Sequence, residues 1–191
     1  MKKTVLIMFT LVLFALATSP LMAHGKTIVV QLLGSATGET RIVTGDTGDP
    51  VSANCFDVDL VLPASGMVIG TASDCLSNAT DYEPQFGNKP VELTDTTIFN
   101  LPGGAIVSVG RVSIQPVIDP ASAPTRTHIT GSVPEAGTKT ILPEQGTRRF
   151  KNRTGSVRLS GAVNMSKFDS DNIIDFDCLF VIDLDKKKQG R

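Results

Sequence analysis

The sequence has no tryptophan, a single tyrosine (Tyr82) and two histidines, His24 and His128, and aromatic residues make up only 5% of its 191 positions. With so few aromatics, a surface built to stack on polysaccharide is not expected. A Ser-His-Asp or Cys-His arrangement could use only one of the two histidines, and neither sits in a recognisable nucleophile motif. An excess of charge of one sign is lacking as well. Eighteen Lys and Arg against 19 Asp and Glu give a net charge of −1, which indicates neither broad nucleic-acid binding nor a strongly acidic partner. No long segment shows a sustained 3.6-residue apolar period, so extended amphipathic helices are not expected.

Long apolar runs are lacking apart from one. Met1-Lys2-Lys3-Thr4 is followed by an apolar run from Val5 to Ala17 that only Thr10 interrupts. It is about 13 residues long, short of the roughly 20 that span a bilayer. Two lysines precede it and Leu21-Met22-Ala23 follows, the pattern of a secretory signal peptide over residues 1–23. No cysteine lies near that cleavage point, so a lipid anchor is not expected. Export to the periplasm or the extracellular space follows from this reading. The remainder, about 168 residues, fits one domain over residues 24–185 with a short basic tail at 186–191. No later run is long enough for stable membrane insertion.

What is abundant is glycine, at 17 residues, together with Val, Ile and Thr, the composition of an all-β domain. Thr27–Leu33 reads as a first strand ending at Gly34, and Gly45-Asp46-Thr47-Gly48-Asp49-Pro50 as a turn. From Asn54 to Leu62 the pattern alternates, with Phe56, Val58, Leu60 and Leu62 on one face and Cys55, Asp57, Asp59 and Val61 on the other. Pro63–Gly66 makes a hairpin connection into Met67–Leu76, where Val68, Gly70, Ala72 and Leu76 share a face opposite Thr71, Ser73 and Cys75. Val91–Leu101, Ala105–Gln115 and Arg126–Gly131 are further strands, and Ser132–Gln145 reads as irregular. A basic, glycine-bounded turn, Gly146–Gly155, opens a strand with Val157, Leu159, Val163 and Met165 on one face. Asn172–Leu184 closes the domain with Ile174, Phe176, Cys178, Phe180, Ile182 and Leu184 in line. About eight strands joined by short connections predict an eight-stranded antiparallel up-and-down barrel, with a sandwich as the competing architecture.

Several motifs occur in order along this pattern: Gly48-Asp49, Val68-Ile69-Gly70-Thr71-Ala72, Pro102-Gly103-Gly104-Ala105-Ile106, Ile129-Thr130-Gly131, and Gly146-Thr147-Arg148-Arg149-Phe150 with Gly155. In this the chain resembles the allene oxide cyclase-like barrel superfamily, which includes the plant dirigent proteins and secreted bacterial members. The resemblance implies the barrel fold. The plant groups carry an Ile-Thr-Gly-Gly-Thr-Gly-aromatic run in one piece, whereas here an insertion separates Ile129-Thr130-Gly131 from Gly146-Thr147, so the cyclase chemistry is not carried over.

Three cysteines in an exported chain suggest one disulfide and one leftover thiol. Pairing across the Pro63–Gly66 hairpin sets Cys55 opposite or nearly opposite Cys75, within bridging reach, which leaves Cys178 buried among Phe176, Phe180 and Ile182. The resemblance offers an alternative, since allene oxide cyclases have a pocket cysteine that would map to Cys75; a disulfide excludes it. Asp57 with Asp59 and Asp175 with Asp177 could bind a hard cation or serve as acid and base; as outward residues they would instead pair with Arg111 or Arg158. His24 would become the mature N-terminus and could chelate copper with His128, but imidazole alone is a weak metal signal, and no metal or cofactor is implied. Arg148, Arg149, Lys151 and Arg153, and the tail Lys186-Lys187-Lys188, read as solvated or as contacts for an anionic partner. Asn78, Asn152 and Asn164 begin glycosylation sequons, meaningful only in a eukaryotic secretory pathway.

The expected barrel interior is lined by Phe56, Val58, Leu60, Val157, Leu159, Phe176 and Phe180, and an eight-stranded barrel is just wide enough to hold one small ligand. The favoured reading is a non-catalytic barrel that binds a small apolar ligand or acts as an extracellular interaction module, with a homo-oligomer compatible. The alternative is a cyclase or isomerase that guides an unstable intermediate. The two differ in one observable: an enzyme needs an open cavity with at least one inward Asp, Asn or Tyr.

Overall fold

The computed structural model describes residues 25–78, 91–116, 126–130 and 139–186. Its strands are β1 (Lys26–Thr44), β2 (Pro50–Val61), β3 (Val68–Ser77), β4 (Val91–Leu101), β5 (Gly104–Pro116), β6 (Arg126–Thr130), β7 (Lys139–Ile141), β8 (Gly155–Lys167) and β9 (Ile173–Leu184). A 3-10 turn at Arg148–Phe150 and a one-turn helix α1 at Phe168–Asp171 complete the elements.

All pairings are antiparallel. They run β4-β3-β2-β1-β9-β8-β6-β5, and β4 also pairs with β5, so the sheet closes on itself. Both β6 and β7 lie between β5 and β8, β6 near Ser113 and β7 near Ser108 of β5. Together they fill one position in the ring, which therefore has eight positions. The chain is the all-β, up-and-down, barrel-like ring that the strand pattern predicts.

Two local readings are corrected. The first strand does not stop at Gly34 but continues to Thr44. Gly34 adopts φ +132°, a region open to glycine, and the register with β2 shifts between Leu33 and Gly38. The strand passes through an irregularity there instead of ending. Within the stretch expected to be irregular, Lys139–Ile141 forms β7, with Lys139 and Ile141 both buried. Three residues are too short for periodicity to reveal.

Alternation decides what faces inward. Val30 and Leu32 of β1, Phe56, Val58 and Leu60 of β2, Phe99 of β4, Ile106 and Val112 of β5, Val157, Leu159 and Val163 of β8, and Phe176, Phe180 and Ile182 of β9 form one buried cluster. Ring contacts tie it together: Phe99 meets Phe180 edge-on at 5.2 Å between centroids, and Phe56 meets Phe176 at 5.6 Å. Outside the ring, Ala53, Cys55 and Cys75 form a second small cluster against Val43. Cys55 and Cys75 are paired directly across β2 and β3 and joined as a disulfide, the pairing read from the sequence.

Candidate functional site

The inward face of β3 runs Gly70, Ala72, Asp74, Leu76, and that of β4 runs Leu93, Asp95, Thr97, Phe99. The register aligns Asp74 with Thr97 and Thr97 with Ser108 of β5, while Asp95 falls opposite Leu76 and Gly110. Asp74, Asp95, Thr97 and Ser108 are all buried, and Lys139 of β7 joins them with no exposed surface. Gly110 makes room for it: a β-carbon there would lie 2.9 Å from the Lys139 Cα and 3.0 Å from its Cγ. A polar cluster thus occupies the middle of an otherwise apolar interior.

Its contacts are specific. Lys139 Nζ lies 2.7 Å from Asp95 Oδ2, an ion pair without hydrogen-bond alignment, and donates a hydrogen bond to Thr97 Oγ1. Thr97 Oγ1 lies 2.9 Å from Asp74 Oδ1 and 3.1 Å from Asp95 Oδ1. One hydroxyl has one proton and serves one carboxyl oxygen at a time. The Lys139 ammonium also sits 5.6 Å from the Phe180 ring centroid, within cation–π range.

Burial, first, and then the negative charge of Asp95 push the Asp74 carboxyl up to about 8; Lys139 and the Thr97 hydrogen bond act against them, and a hydrogen bond with Asp95 adds to the rise. Two carboxyls this close cannot both ionise cheaply, so one proton stays on the pair near neutral pH. Ser108 Oγ, also wholly buried, has no hydrogen-bond partner among the described residues. Cys178 faces the same interior, where burial and then Asp74 raise its thiol well above the ordinary range. It is a neutral thiol 3.8 Å from the Ala162 carbonyl oxygen, inert as a nucleophile.

Beside this cluster, a cavity of about 270 Å³ opens at the end of the barrel where β3, β5 and β8 finish and β9 begins. Phe56, Leu76, Leu93, Ile114, Met165 and Ile174 line it, α1 contributes Phe168, and Asn54, Ser77 and Asn78 supply its polar atoms. Phe56 pairs with Asp74 and Leu76 with Asp95. The acid cluster therefore lies directly behind two cavity walls.

Of the seven residues expected to line the interior, Phe56 borders this cavity, while Val58, Leu60, Val157, Leu159, Phe176 and Phe180 belong to the packed cluster around it. The carboxylates singled out in the sequence point outward. Asp57 receives Arg41 at 2.7 Å and the Ser73 hydroxyl at 2.5 Å, and the Arg41 hydrogen bond holds its carboxyl down at about 2. Asp177 accepts from Gln31 and Asp175 from Ser35. Their partners are not the expected ones, because Arg111 pairs with Glu92 and Arg158 with Asp183. Among the described residues no group of three or more His, Cys, Asp or Glu side chains could hold a metal ion. His24 and the side chain of His128 lie outside the described residues.

The sequence reading passed over Asp74, Asp95, Thr97, Ser108 and Lys139. A signal was present, since Asp74 falls between Ala72 and Leu76 on a face otherwise apolar.

No family model and no curated relative matches the sequence. Among solved structures, the chain is similar to a nonspecific heme-binding cyclase that catalyses a 4 + 2 cycloaddition during neoabyssomicin biosynthesis, with a TM-score of 0.38 and 16% identity. That alignment covers 86% of this chain and 66% of the other. A Diels–Alderase from Streptomyces koyangensis is similar at a TM-score of 0.36 and 14% identity, over 83% of this chain and 64% of that one. The chain thus spans just under two thirds of the length of either protein.

Proposed function

We propose that this chain is an exported single-domain barrel, residues 24–185 after loss of residues 1–23, that holds one small, largely apolar molecule in its end cavity. The observation that carries the reading is the cavity itself: about 270 Å³, walled by aliphatic, thioether and aromatic side chains, with a few polar groups to orient the occupant. Binding sites for small molecules have this composition, and this volume suits an occupant at the small end of their range. The closed up-and-down ring supports a place beside the allene oxide cyclase-like and dirigent barrels. Methyl-resolved NMR during titration with a small apolar ligand tests the reading. Shifts should concentrate at Leu93, Ile114, Met165 and Ile174. Shifts confined to outward residues such as Val29 and Leu179 would place the ligand elsewhere and end the proposal.

One observation favours a second reading, that of a cyclase or isomerase: the inward acid. Asp74 is pushed towards its neutral form beside Phe56 but does not line the cavity, so it can act as a general acid only on an intermediate that enters past Phe56. The carboxylate left behind would face Lys139, whose charge stabilises it. Asp74→Asn separates the readings, because a carrier keeps its ligand affinity and has no turnover to lose, whereas an isomerase keeps its affinity and loses its rate.

A further inference from the structure

We infer that the end of the barrel opposite the cavity is a docking surface for an anionic phospholipid bilayer. The fold brings together basic residues that are far apart in sequence. Leu184, the last residue of β9, pairs with both Lys26 and Gly155. The Asp185 amide then bonds to the Thr154 carbonyl at 2.9 Å, and the Arg149 amide to the Gly103 carbonyl at 3.2 Å. The start of β1, the end of β9, the β4–β5 turn and the 3-10 turn therefore share one rim. On it Lys26, Arg148, Arg149, Lys151 and Lys186 are exposed, and none takes part in an ion pair among the described residues.

The 3-10 turn is fixed in place. Phe150 is buried in the core, Thr147 Oγ1 accepts the Ala105 amide at 2.8 Å, and Arg148 is held at φ +50°. A non-glycine residue in that region persists only where its surroundings over-determine it. Two of the nearby acids are engaged: Asp183 by Arg158 and Thr27, and Asp185 by Thr154. Glu144 is exposed on the preceding turn. The rim is net basic on a chain whose overall charge is −1.

One observation selects a lipid surface over an anionic polymer. Met67 and Val68, 57% and 56% exposed, leave the β2–β3 turn at this same end, and apolar side chains beside cations suit the headgroup boundary of a bilayer.

Each basic side chain close to an anionic surface contributes about fivefold in partitioning, screened by salt. The test is flotation of the exported protein with vesicles of phosphatidylcholine mixed with phosphatidylglycerol, against pure phosphatidylcholine. Binding should require the anionic lipid and weaken with salt. Lys151→Gln and Lys186→Gln, drawn from the two separate segments, should each lower it about fivefold and together about 25-fold, with the unfolding midpoint unchanged. Equal binding to both vesicle types, or variants that bind as well as the parent, would overturn the inference. Binding to a soluble polyanion such as heparin but not to anionic vesicles would overturn it too, by assigning the rim to a polymer.

Discussion

Replacing Lys139 with methionine keeps the stem length and removes the only cation in contact with Asp95 and Thr97 among the described residues. Lys139 has no exposed surface and Asp95 is 1% exposed, so water cannot take the cation's place. Breaking a buried pair on one side costs about 3–5 kcal/mol, because the remaining charge stays in a low-dielectric site. The loss should depend on pH in a defined direction. Without the cation, nothing of the Lys139 charge opposes the rise at Asp74, so that carboxyl favours its neutral form still further above the ordinary 3.8 in the folded state. Such a group stabilises fully below the unfolded value and loses that stabilisation as pH rises through the folded one. The variant should therefore unfold close to the parent below about pH 4 and lose the full amount near neutrality. Urea unfolding followed by circular dichroism across that range reads this directly. Asp95→Asn with Lys139→Met should recover most of the loss, since no uncompensated charge remains; this pair keeps the test informative if the single variant does not fold at neutral pH. A pH-independent loss, or one below about 1 kcal/mol at neutral pH, would refute the buried-pair account.

For Asp74→Asn, the stability advantage of the parent should shrink as pH rises from about 4 towards 8, by up to about 1.4 kcal/mol per pH unit, because the parent's folded state holds a proton that its unfolded state releases. Paired urea titrations measure that slope, and parallel curves for the two proteins would exclude a raised Asp74. Removing the disulfide with Cys55→Ala and Cys75→Ala releases a loop of sequence separation 20 and should cost about 3 kcal/mol in thermal or urea unfolding. Asp57→Ala breaks an exposed pair with Arg41 and should cost about 1 kcal/mol or less, with the difference vanishing in high salt. Gly110→Ala sets a methyl against the Lys139 backbone and should displace β7, detectable as faster amide exchange at Ile141.

Residues whose chemistry agreed with their surroundings were legible in sequence. Phe56, Val58 and Leu60 alternate with Cys55, Asp57 and Asp59, and the inward residues Ile174 to Leu184 take every second place despite apolar Leu179 and Val181 between them, so strands and faces followed from a period of two. Cys55 and Cys75 followed from a short hairpin. Asp74 was hidden for a physical reason: hydropathy assigns a carboxylate to the solvent side whichever face its neighbours occupy. Its meaning appears only when the register of β3 on β4 places it beside Thr97, and when Lys139, 42 residues from Thr97 in sequence, arrives from a strand of three residues. The continuation of β1 past Gly34 was hidden by the same limit. A glycine read as a stop can equally be the irregularity that lets a long strand go on.

The cavity at the barrel mouth is the centre of the account, and native mass spectrometry of the protein purified from an exporting host tests it most directly. The parent should retain or take up one small apolar molecule per chain. Leu93→Trp, which fills the cavity from β4, should lose that molecule while the disulfide and the unfolding midpoint stay in place. A parent that takes up nothing from a panel of small apolar compounds, or a filled variant that binds as the parent does, would contradict it.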